Sequence, residues 1–196
     1  MKSMKKLMAT LALGGIVFCM AMPAFAAGAV ARAYTPLDVE GHIVSNVSVN
    51  LLSVSPNSVC LNLEGNGLAY NHRPVTRASR TTSKDQIWRT ATFGDGLVRV
   101  VTTQKDASGN TGYALNLLRS TESGGSYSCD IYRITPNDYN AKDSAVRTPG
   151  SPSDFSIQLP GYNGLALTVL SNSRNIKWAP YQGSVLEGWD SWSHGD

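Results

Sequence analysis

The sequence predicts an all-β fold, a β-trefoil of three four-stranded repeats with an N-terminal arm after a cleaved signal peptide. Three observations carry that expectation. A four-residue phrase recurs as Cys60-Leu61-Asn62-Leu63, Ala114-Leu115-Asn116-Leu117 and Ala166-Leu167-Thr168-Val169, with starts 54 and 52 residues apart. Self-similarity at a fixed period is the signature of a repeat architecture. Past the N-terminus, short β-branched and aromatic runs alternate with breaks such as Ser55-Pro56-Asn57-Ser58 and Ser123-Gly124-Gly125, and no stretch has a convincing helical period. Finally, a strand unit with one apolar face cannot bury it alone, whereas three units around an axis share one core and leave few exposed edges.

Residues 1–26 read as a secretory signal peptide. Lys2, Lys5 and Lys6 form a basic start, Leu7 to Met22 is apolar, and Ala24-Phe25-Ala26 is a small-x-small exit. The segment is too short for a membrane anchor, so the expected location is secreted, periplasmic or extracellular, with no membrane insertion. Removing it changes the charge argument. The whole chain carries 17 Lys+Arg and 14 Asp+Glu, and the three signal lysines leave 14 of each. A formally neutral chain offers no electrostatic footprint for nucleic acid or anionic lipid.

Residues 27–46 read as an arm, and 47–196 as one domain. Each repeat is expected to hold four strands. The first are Val47–Leu51, Leu97–Val101 and Phe155–Leu159; the second are the tetrads. The third begin at Val75, Ile131 and Ile176, and the fourth at Trp88, Val146 and Trp189. Within the arm, Leu37-Asp38-Val39-Glu40-Gly41-His42-Ile43 alternates as a strand donated to a neighbouring chain would. It motivates an alternative function, a fimbrial subunit or adhesin assembled by strand addition.

Two cysteines follow the signal, Cys60 and Cys129. An oxidising compartment favours one disulfide between them, and two free buried thiols is the competing reading.

The Cys60-Leu61-Asn62-Leu63 strand followed by Gln86-Ile87-Trp88 resembles the repeat of the ricin-type lectin family, which opens on a Cys-apolar-Asp/Asn-apolar strand and closes on Gln-x-Trp. The second repeat keeps Asn116 but has Ser144-Ala145-Val146 at the closing signature, and the third has Glu187-Gly188-Trp189. The chain is also similar to the ricin-like A and C subunits of cytolethal distending toxins, which deliver a nuclease partner. The resemblance implies a non-enzymatic carbohydrate-binding protein with cell-surface glycans as partners, a delivery role beside other toxin subunits, and no cofactor.

Carried over position by position, the resemblance implies a shallow sugar site per repeat. The first would use Asn62, Asp85 and Gln86, but has Arg77 and Ala78 where an aromatic is expected. The second offers Asn116, Tyr132 and Asp143. The third offers Thr168, Trp178 and Glu187 with Tyr181 nearby. Ring stacking and hydroxyl recognition need an aromatic face beside amides or carboxylates. Trp88 and Trp189 read as core. Trp178 is taken as the stacking residue, with a core position beside Ile176 as the competing reading, and the one surviving site is expected in the third repeat. The resemblance also implies disulfides within a repeat. Cys60 and Cys129 sit in different repeats, so either the bridge crosses repeats or the register of the second is shifted.

Catalysis finds no pattern to stand on. His42, His72 and His194 lie far apart without metal-ligand spacing, and Asp85, Asp143 and Glu187 occupy equivalent positions, whereas an acid–base pair needs unlike environments.

Overall fold

The computed structural model describes residues 41–45, 59–65, 67–138, 141–151, 154–170 and 173–193, and these described residues hold thirteen strands and four single 3-10 turns. The described residues all belong to one compact unit, 31–196. The signal segment and most of the arm lie outside them. The fold is all-β, and among the described residues no helix is long and apolar enough to cross a membrane.

The strands are β1 (Gly41–Ser45), β2 (Val59–Leu63), β3 (Arg73–Ser79), β4 (Trp88–Thr92), β5 (Val98–Thr102), β6 (Tyr113–Ser123) and β7 (Ser126–Arg133). They continue with β8 (Gly150–Ser151), β9 (Asp154–Phe155), β10 (Gln158–Leu159), β11 (Leu165–Val169), β12 (Ile176–Pro180) and β13 (Trp189–Ser193). The tetrads open three antiparallel hairpins, β2–β3, β6–β7 and β11–β12. Their registers correspond. The tetrad's first residue faces Ala78, Tyr132 and Ala179; its second faces Arg77, Ile131 and Trp178. Its third faces Thr76, Asp130 and Lys177, and its fourth faces Val75, Cys129 and Ile176. The counterpart of Val75 and Ile176 is therefore Cys129, not the expected Ile131. A shift of two leaves every side chain on its original face, so the hydrophobic pattern could not reveal it.

Pairing between hairpin groups closes the sheet. β1 pairs with β13 over five residues, β4 with β5 over five, and Arg147 bridges Gln158 between the second and third groups. Two expectations need correction. Residues 41–45 are a strand of this sheet rather than the end of an arm, because Ile43 and Val44 are wholly buried and could not stay in solvent. The Gly41–Ile43 part of the donor-like segment is thus paired within its own chain; Leu37–Glu40 and the expected strand Val47–Leu51 fall outside the described residues. Val146 opens no strand. Its N–H donates to Val98 O at 2.9 Å, and the segment around it runs through turns.

The larger of two core clusters joins Leu61, Leu63, Leu115, Leu117, Leu167 and Val169 from the three tetrads with Trp88, Trp178 and Trp189. Each indole N–H donates at 3.1 Å to a tetrad carbonyl: Trp88 to Leu61, Trp189 to Leu167 and Trp178 to Asn116. That satisfies the one polar group these rings bury.

The expected disulfide is absent: Cys60 and Cys129 are both free and buried. Strand alternation explains it. Cys129 joins the core cluster with Leu61 and Leu63, while Cys60 points to the opposite face of β2, where it stands across from Val44 and Ala78. Burial pushes the Cys60 thiol up to about 12 and holds Cys129 well above the usual thiol range.

Candidate functional site

The β6–β7 hairpin builds the best-equipped cleft. Register places Asn116 opposite Asp130, and Asn116 Nδ2 donates to Asp130 Oδ1 at 2.7 Å and to Leu117 O at 3.2 Å. Its Oδ1 is thereby left to the cleft. Tyr132, two residues beyond Asp130 on β7, shares its face and is half-buried.

A turn from the first hairpin group supplies the opposite wall. His72 adopts a left-handed conformation, φ 66°, and its N–H donates to Ile131 O at 2.8 Å. Arg133 N donates to Asn71 Oδ1 at 2.8 Å, so two consecutive residues of the turn are fastened along β7. The His72 ring lies 5.5 Å from the Tyr132 ring at 50°, and its Nδ1 is 2.7 Å from Asp130 Oδ2. Burial pushes the Asp130 carboxyl above its ordinary range, against the hydrogen bonds from Asn116 and His72 that favour the charged form.

On the far side Arg119 Nε donates to both Asp143 oxygens at 3.0 and 2.9 Å, and the Tyr162 hydroxyl donates to the same carboxylate. The Arg119 side chain is 67 % exposed. The cleft holds about 320 Å³ and is lined by His72, Asn116, Arg119, Tyr132, Asp138 and Asp143, among others. A half-buried ring flanked by amide and carboxylate oxygens and one guanidinium suits a polyol with an apolar face.

The other two sites are not built this way. In the first repeat, Gln86 is buried and fully spent. Its Oε1 accepts from Thr81 N at 2.7 Å, while Nε2 donates to Ser79 O at 2.8 Å and Asn62 Oδ1 at 3.2 Å. Asn62 Nδ2 donates to Leu63 O at 2.7 Å, and Asp85 is held by Arg73 at 2.8 Å and Gln104 at 3.1 Å. These residues line a cleft of about 340 Å³ that contains no aromatic side chain. Arg77 is in the interior, with Nη2 donating to Ser173 O at 2.6 Å; burial lowers its pKa to about 10.

In the third repeat the expected set is split. Trp178 is 0 % exposed, so its ring presents no face to a ligand and the stacking role expected of it is corrected to a core role. Thr168 Oγ1 donates to Ala166 O at 3.0 Å on the same strand. Glu187 closes a capping box, accepting from Gln182 N at 3.0 Å and Ser184 N at 2.9 Å. Tyr181, 47 % exposed, stands with Glu187 in a different cleft of about 620 Å³ beside Phe155 and Val185.

Sequence reasoning missed Asp130 and Asp138, and with them His72 and Arg119. His72 comes from another hairpin group, 58 residues from Asp130, and Arg119 lies outside the repeated phrase, so no periodic signal marked either.

No protein-family model matches the chain, and no curated protein matches it in sequence. Solved structures do. A designed 3-fold symmetric protein, ThreeFoil, is similar at a TM-score of 0.57 and 18% identity, covering 78% of this chain and 96% of that one. A Polyporus squamosus lectin, solved with a human-type influenza-binding epitope, is similar at 0.55 and 14% identity, covering 79% and 48%. The hemolytic lectin CEL-III is similar at 0.56 and 18% identity, covering 83% and 32%. The chain thus spans about half of the Polyporus chain and a third of CEL-III. The likeness is one of fold.

Proposed function

We propose that this protein is a secreted, non-enzymatic carbohydrate-binding β-trefoil whose glycan site is the cleft of the second repeat. One observation carries the reading. At the position facing the tetrad's first residue the three repeats hold Ala78, Tyr132 and Ala179, so only the second offers a ring there, and it is the repeat whose cleft is also lined by Asn116 and Asp143. The corresponding hairpin registers and the likeness to a threefold design support the trefoil. The basic-apolar-small N-terminus supports secretion. Delivery of a toxin partner is the finer form of this reading; it rests on the signal peptide and the family resemblance, and co-purification of a second toxin chain tests it.

The direct test is a glycan array followed by calorimetry on the wild type, Tyr132→Ala and Tyr181→Ala. A single shallow site predicts affinity near the millimolar range for one sugar, about −4 kcal/mol, lost in Tyr132→Ala and kept in Tyr181→Ala. The reverse pattern would move the site to the third repeat and overturn the proposal.

A further inference from the structure

His72 is not one of the residues that the repeat or the family resemblance brings to the second cleft, yet its ring forms a wall of it. Its surroundings fix which nitrogen does what. Both Asp130 oxygens face nitrogen, Oδ1 taking Asn116 Nδ2 at 2.7 Å and Oδ2 facing His72 Nδ1 at 2.7 Å. A carboxylate accepts only, so the Nδ1 of His72 carries a proton, and in the neutral imidazole Nε2 carries the lone pair. Among the described residues Nε2 has no hydrogen-bond partner, and the side chain is 51 % exposed into the cleft it lines. The left-handed backbone at His72 and the hydrogen bonds from Asn71 and His72 to β7 hold the ring in this pose.

We propose that His72 is a ligand-contacting residue of the second cleft, accepting a sugar hydroxyl at Nε2, with Asp130 as the positioning residue that fixes its tautomer. This rests on the glycan reading of that cleft. The contact fits the rest of the lining. Asn116 Oδ1 and Asp138 line the cleft as acceptors, Asp143 is taken by Arg119 and Tyr162, and Nε2 adds one acceptor for a hydroxyl proton that the ligand donates.

The groups that bear on His72 are Asp130 and Tyr132 from β7, Arg119 from β6, Asp138 from the 3-10 turn and Asp143 from the loop beyond it. On its own element Arg73 is turned away, with its guanidinium bound to the carbonyls of Gly65, Gly67 and Leu68 and to Asp85. Arg133 stands across from Tyr113.

The test is a titration of nitrogen-15-labelled protein with methyl glycosides of galactose, glucose, mannose, N-acetylglucosamine and N-acetylneuraminic acid. The expected result has four parts. In the free protein the neutral His72 imidazole shows its proton on Nδ1 and a bare Nε2. One glycoside shifts the Tyr132 ring and the His72 Nε2 together. His72→Ala weakens that glycoside about tenfold, the equivalent of one hydrogen bond. Asp130→Asn moves the proton to Nε2, because its amide then donates to Nδ1, and it weakens binding as His72→Ala does. A glycoside that shifts Tyr132 while leaving the His72 nitrogens unchanged overturns the contact and leaves the glycan reading standing. If no glycoside shifts Tyr132, the glycan reading falls and the His72 contact with it.

Discussion

Cys60 and Cys129 lie on β2 and β7, with β3 between these strands, and point to opposite faces; their thiols are held neutral by burial. A thiol reagent at pH 8 should leave both unmodified in the native chain and label both after unfolding in guanidinium, because the thiolate is the nucleophile and the Cys60 thiol is pushed up to about 12. Electrospray mass before and after alkylation reads the count; two native-state alkylations would contradict the packing. Asp130 gives a second test at this scale. Its folded carboxyl is raised, chiefly by burial, so its contribution to stability is complete below the ordinary aspartate range near pH 4 and is lost as pH rises through the raised folded value. Asp130→Asn removes that loss. Urea midpoints for the variant should gain on the wild type as pH rises above about 4; parallel curves would show that the burial cost is offset by Asn116 and His72.

At the scale of elements, a single side chain holds the loop before β13. Glu187 accepts the N–H groups of both Gln182 and Ser184 from a buried position. Glu187→Ala should cost about 1–2 kcal/mol in chemical denaturation, as expected for a lost cap that leaves two donors unpartnered, without changing affinity for a sugar bound in the second repeat. Elements also show how far the sequence could be read. The tetrads and the core roles of Trp88 and Trp189 were legible because they rest on alternation and on residue type. The register of β7 was not, since Ile131 and Cys129 lie on one face and either fits the pattern. Trp178 was misjudged for a related reason. Alternation from Ile176 put it on the same face, but the sequence could not show that the face opens inward, with the indole donating to Asn116 of another hairpin. Asn116, Tyr132 and Asp143 stood together as a list in the sequence, but that His72 and Arg119 line a cleft with them becomes visible only when the chain is folded.

For the whole molecule, closure is the governing feature. β1 is far from β13 in sequence and pairs with it along its full length, so the first described strand fastens the last. A chain beginning at Ala31 keeps every described strand, whereas one beginning at Asn46 leaves the β13 edge open and removes the wholly buried Ile43 and Val44. The longer chain should unfold cooperatively and show fixed aromatic signals in near-ultraviolet circular dichroism. The shorter one should lose them or aggregate; an equal melting temperature would contradict closure through β1. Closure also places the first hairpin group's turn against β7, and this is how one repeat furnishes the wall of another's cleft.

The central claim, that the fold keeps one glycan site and keeps it in the second repeat, is met most directly by mapping glycoside-induced chemical shifts over the whole labelled chain. The account predicts shifts confined to Tyr132, Asn116, Arg119, His72 and their neighbours. Shifts centred on Asn62 and Gln86, or on Tyr181 and Glu187, or equal shifts in all three repeats, would contradict it.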